Sequence, residues 1–142
     1  MNRYFVSTSF LLLTCFGALL ADDKDLKELE GTYTVVSLEN GNKVAGKELT
    51  EKMKVRFKGD SLTIVIKSDE KISTIKADAS QKPHTIDISP NEGKEKGKTF
   101  LGIYKLEKGT LTIAYAMSGE RPKEFSTEND VTVWKLKQEP NK

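Results

Sequence analysis

The sequence predicts an all-β protein: an antiparallel, closed or nearly closed barrel of about eight strands with one short helix, set behind an N-terminal signal peptide. Three observations carry this expectation. Residues 5–21 are apolar or small and follow a lone basic residue, Arg3. From Gly31 onward, apolar and β-branched residues recur at a period of two, in short runs bounded by turn residues. The one stretch of good helix formers after Gly31, residues 44–52, has room for only two turns.

The N-terminal segment has an apolar centre at Phe10, Leu11, Leu12, Leu13 and Phe16, and it ends where Asp22 and Asp23 begin the acidic residues. A short basic start, an apolar core and a small residue before a polar sequence are the marks of a secretory signal peptide. Cleavage after Ala21 leaves one domain, residues 22–142. An uncleaved anchor is the alternative, because the apolar stretch approaches the roughly 20 residues that span a bilayer. Leu12-Leu13-Thr14-Cys15 also resembles a bacterial lipobox. Against lipidation, Thr14 stands where Gly, Ala or Ser is wanted and the apolar run continues past Cys15. The expectation is therefore export, to the periplasm or beyond, with membrane contact only through an uncleaved or lipidated N-terminus.

The strands follow in order. Residues 31–38 (GTYTVVSL) are β-branched and aromatic, and Asn40-Gly41-Asn42 supplies the turn. Met53, Val55 and Phe57 alternate with Lys54, Arg56 and Lys58, and after Gly59-Asp60 the alternation resumes at Leu62, Ile64 and Ile66, which makes a hairpin. Residues 72–77 form a weaker strand. Ile72 and Ile75 are out of phase there, so a bulge is expected. Ile86 and Ile88 share a face of residues 85–89. Residues 99–106 and 110–117 flank Glu107-Lys108-Gly109 as the clearest hairpin, and residues 131–137 (VTVWKLK) close the series. Closure into a barrel removes exposed sheet edges. A β-sandwich shares the same periodicity and is the rival architecture.

Composition narrows the function. The chain carries 23 Lys and Arg against 21 Asp and Glu, a net charge of +2, without the concentrated basic excess that nucleic acid requires. Its one cysteine lies in the signal peptide, so the domain has no disulfide, thiol nucleophile or thiolate metal site. His84 is the only histidine, and Asp87, three residues along a strand, faces the other side. Ser118-Gly119-Glu120 lacks the context of a nucleophile elbow, and Gly93 and Gly97 do not open a helix that would hold phosphate. No catalytic residue, cofactor or metal site is expected, and the protein is read as a non-enzyme.

Four segments carry a resemblance. They are Leu29-Glu30-Gly31-Thr32-Tyr33-Thr34-Val35-Val36, Lys82-Pro83-His84-Thr85-Ile86-Asp87, Gly97-Lys98-Thr99-Phe100-Leu101-Gly102-Ile103-Tyr104 and Glu120-Arg121-Pro122-Lys123-Glu124-Phe125. In order and spacing they resemble a group of uncharacterised exported lipocalin-like domains typical of planctomycete bacteria. The resemblance implies a lipocalin-like barrel and no biochemical activity. One departure is visible: the opening strand of that group usually reads Gly-x-Trp, whereas here Tyr33 takes the Trp place and Trp134 sits in the last strand.

Candidate residues divide into two sets. Gly31, Tyr33, Pro83, Asp87, Arg121 and Pro122 are expected to be structural. Gly31 lets the chain bend into the barrel, Tyr33 plugs its closed end under a cation from Arg121 or Lys135, and Pro83 sets an extended approach to its strand. Arg121 either pins a loop or holds a carboxylate ligand. The barrel-lining set is Phe57, Phe100, Tyr104, Tyr115, Met117 and Arg121. A barrel of about eight strands is either filled by side chains or holds one small ligand. Two functions follow: binding of a small hydrophobic molecule, or a non-enzymatic interaction or structural module of the cell envelope with a filled barrel.

Overall fold

The computed structural model describes residues 18–140. The segment read as a signal peptide, with Arg3, Cys15 and the lipobox-like sequence, lies outside the described residues up to residue 17. The described chain begins with helix α1 (Ala18–Leu29), followed by β1 (Gly31–Asn40), β2 (Lys43–Val44) and α2 (Lys47–Thr50). Seven further strands follow: β3 (Met53–Lys58), β4 (Ser61–Ile66), β5 (Asp69–Asp78), β6 (His84–Pro90), β7 (Phe100–Glu107), β8 (Thr110–Ala116) and β9 (Val131–Gln138). Where one short helix was expected there are two, and α1 is the addition.

The alternation seen in the sequence builds an antiparallel meander. Each strand from β3 to β9 pairs with the next, β1 pairs with β3, and β9 returns to pair with β1. That last pairing closes an eight-stranded barrel and rules out the sandwich. The short β2 only extends the end of β1, with Asn40 opposite Lys43. The barrel is antiparallel and lipocalin-like in architecture.

Interior positions follow the period of two. Met53, Val55 and Phe57 are buried on β3 while their lysine and arginine neighbours are exposed. β5 is regular in register with β4 and β6, so the expected bulge at Ile72 is absent. Ser73, Ile75 and Ala77 face inward there, and Ile72 is exposed. The register shift falls in β1 instead, between Val35 and Ser37 against β9. Val35 lies opposite Leu136 and Leu38 opposite Trp134, so residues three apart both reach the interior, with Val36 displaced outward and exposed. One extra residue here restores phase and adds the local twist that lets β1 serve both neighbours.

The two ends of the barrel differ. At one end α1 packs against β3 and β5 and seats Leu29, fully buried, among the core side chains. Asp25 is also buried, and its Oδ2 accepts a 2.8 Å hydrogen bond from the Ala79 backbone N–H, which fixes the helix to the β5–β6 turn. Tyr33 donates its hydroxyl to the Leu29 carbonyl at 2.9 Å, and its ring meets Phe57 edge-on at 5.5 Å. Gly31 starts β1 with φ of +142°, a conformation that suits glycine. Tyr33 thus sits buried at the α1 end, and its cover is Phe57 and Leu29 rather than a cation. The cation–π contact among the described residues is elsewhere: Lys105 Nζ lies 4.8 Å from the centre of the Phe125 ring.

Phe125 belongs to the segment between β8 and β9, which crosses the outer wall. A second apolar cluster forms beneath it, from Ile103, Ala114, Val131 and Val133. These residues point away from the barrel axis, so the strap spares them from water.

Candidate functional site

The end of the barrel opposite α1 is open. Between the β4–β5 turn and residues 91–99 it leads into a cavity of about 750 Å³. Its walls come from alternating positions of the strands: Val55, Ile64, Ile88 and Ile113 supply aliphatic surface, and Phe57, Phe100, Tyr115 and Trp134 supply rings. Phe57 stands at the floor, where it meets Tyr33. Phe100 and Tyr115 have ring centres 5.8 Å apart, and Tyr115 and Trp134 are 6.3 Å apart, so three rings line one side. Asp69, Glu70, Lys71, Glu92, Lys94 and Glu95 form the rim.

The cavity interior is mainly apolar, and Ser73, Tyr115 and Trp134 are polar side chains on its wall. Burial pushes the Tyr115 hydroxyl above the ordinary tyrosine range, against the weaker opposing effect of hydrogen bonds with the Thr132 and Trp134 side chains. The Trp134 indole nitrogen beside it is shielded from solvent. Near the same end Asn40 donates a 2.8 Å hydrogen bond to the Thr132 hydroxyl.

The lower half of the barrel is filled. Ile75, Ile86, Leu111 and Leu136 are buried around Leu29 and Tyr33. Tyr104 belongs to this half. Its ring meets that of His84 at 5.3 Å, and its buried hydroxyl has no partner among the described residues. The pKa of that hydroxyl is pushed up to about 12, first by burial and then by the negative charges of Asp25, Glu28 and Asp78.

Of the residues expected to line the barrel, Phe57, Phe100 and Tyr115 come together on the cavity wall. Three others do not. Tyr104 is inside the barrel but below the cavity, packed at the plugged end. Met117 is exposed just beyond β8. Arg121 lies on the outer wall, where its Nη1 donates to the Gly102 carbonyl at 2.7 Å and the Ile86 carbonyl at 3.4 Å. Its Nη2 sits 2.7 Å from Asp87 Oδ1, an ion pair with both side chains about 30% exposed. Arg121 therefore pins the strap to β6 and β7, and Asp87 is its partner. Pro122 follows it in the strap, and Pro83 precedes β6 through a cis Lys82–Pro83 bond.

Trp134 is the wall residue that sequence reasoning missed. Its signal was present in the alternation of residues 131–137. Among the described residues no group of three His, Cys, Asp or Glu side chains is placed to hold a metal ion. No described helix is long and apolar enough to cross a membrane. Comparison with family models, with curated proteins and with solved structures gave no match.

Proposed function

We propose that this chain is an exported lipocalin-like domain that binds a small, mostly apolar molecule in the open half of its barrel. The observation that carries the proposal is the cavity of about 750 Å³, walled by aliphatic and aromatic side chains and open at the end opposite α1. Ligand sites are commonly concave, mostly apolar and roughly 300–1,000 Å³ in volume. The α1 plug supports the same reading, because it seals one end and leaves a single route in and out. Export, and kinship with the planctomycete lipocalin-like group, rest on the N-terminal segment and on the four sequence segments above.

Native mass spectrometry of the protein purified from a producing bacterium tests this. The expected result is an added mass of small-molecule size that is released on denaturation, or, for protein recovered empty, saturable uptake of a neutral lipid probe. Protein that is recovered empty and takes up no such probe would contradict binding.

A further inference from the structure

We propose that the open half of the barrel takes a single-chain amphiphile with an anionic head, such as a carboxylate, its tail against the ring-lined wall and its head at the mouth beside Lys71 and Lys94. This rests on the binding reading above and names its ligand class.

The cavity has two unlike sides. Phe100, Tyr115 and Trp134 line one with rings. β5 lines another, and near the mouth its inward face is polar. Ala77, Ile75 and Ser73 are buried at alternating positions, which puts Lys71 and Asp69 on the same face. The register agrees. Lys71 stands opposite Ile64 and Asp69 opposite Ile66, and both isoleucines pack against the core. Side chains directly opposite in an antiparallel pair share a face. Lys71 therefore rises from the inner wall, next along that face from Ser73, while the residue itself is exposed. A lysine can lay its stem along apolar surface and keep its ammonium in water.

The segment that carries Lys94 is fastened beside it. The Asn91 N–H donates to the Ile72 carbonyl at 3.1 Å, and Glu92 Oε1 accepts from the Ile72 N–H at 3.4 Å. Most of the rim acids are otherwise engaged or turned away. Glu95 is 2.8 Å from Lys98, Glu92 faces the Ile72 backbone, and Glu70 falls on the outward face opposite Val65. Asp69 remains, against two lysines that are in no ion pair among the described residues. A head held there stays in water, so it avoids the desolvation cost of a buried carboxylate. Each ammonium offers it three donors. The tail below meets only the mainly apolar wall.

Displacement of the neutral dye N-phenyl-1-naphthylamine at pH 7 by sodium decanoate, decanol and decylamine, each below its micellar concentration, tests the proposal. The three share one chain length and differ in head charge. Exposed ion pairs are weak, so decanoate is expected to bind about five-fold more tightly than decylamine and at least as tightly as decanol, with the gap closing at high salt. Equal or tighter binding of decylamine overturns the anionic preference while leaving apolar binding intact. Failure of the dye and of all three competitors overturns the binding reading itself, and this proposal with it. In the double variant Lys71→Gln, Lys94→Gln, the ratio of decanoate to decanol affinity is expected to fall about three-fold or more. An unaltered ratio overturns the role of the two lysines. Both substitutions are at exposed positions, and the wild-type series decides the preference for head charge without them.

Discussion

Arg121 joins three acceptors on two neighbouring strands, the carbonyls of Ile86 and Gly102 and the carboxylate of Asp87. Its planar fork suits that task, and a lysine cannot reproduce it. Arg121→Met is expected to lower stability by about 1–2 kcal/mol, the usual worth of charge-assisted bonds discounted for partial exposure. Urea denaturation measures this. Because Arg121 is on the outer wall, the same variant should leave the affinity for an apolar dye unchanged; a loss of dye affinity with normal stability would return Arg121 to the ligand. The sequence carried both roles for this residue and no means to choose, since the choice depends on which side of the wall the side chain meets. Phe57, Phe100 and Tyr115 were legible as interior because alternation fixes the inward face. Tyr104 shares that face but stands lower, and height along the axis is invisible to a pattern of period two.

At the scale of elements, the eight barrel strands could be read almost completely, because each half-buried strand shows its apolar face as a simple alternation. Helix α1 could not. Leu26 and Leu29 are the core contacts that it brings, in a polar segment next to the apolar N-terminal run, and a short helix draws its stability from docking rather than from propensity. Leu29→Ala should therefore cost about 2–4 kcal/mol by emptying a buried site, read as a lower denaturation midpoint with an unchanged slope. The bulge was misplaced for a related reason. Ile72 and Ile75 broke phase in sequence, yet Ile72 simply faces outward, while the real shift at Val36 is imposed by closure against β9. Gly102 marks another tertiary constraint. A side chain there would stand 2.8 Å from the Ala114 carbonyl oxygen and 3.0 Å from Tyr115 Cβ. Gly102→Ala is expected to lose about 1–3 kcal/mol through overpacking between β6 and β8, again by denaturation.

The whole molecule is a half-filled barrel, packed at the α1 end and hollow at the other. Its three described tyrosines, Tyr33, Tyr104 and Tyr115, all have raised pKa values, chiefly because burial disfavours the ionised phenol. The unfolded chain releases those protons near pH 10. The stability that these buried phenols contribute is therefore fully present below about pH 10 and is lost as pH climbs toward the value of about 12 at Tyr104. In a Tyr4→Phe background, absorbance of tyrosinate should lag until the near-ultraviolet dichroism collapses; three phenols titrating near pH 10 in an intact fold would contradict this packing. The central claim, that the hollow half receives an apolar molecule, has a built-in reporter. Trp134 is the sole tryptophan and lines the cavity. The most direct measurement is energy transfer from its indole to N-phenyl-1-naphthylamine during titration. The account predicts saturable quenching of the indole with matching sensitised dye emission, both reversed by a competing neutral alkyl ester. Dye emission that stays at the level of free dye, with indole fluorescence unmoved, would contradict it.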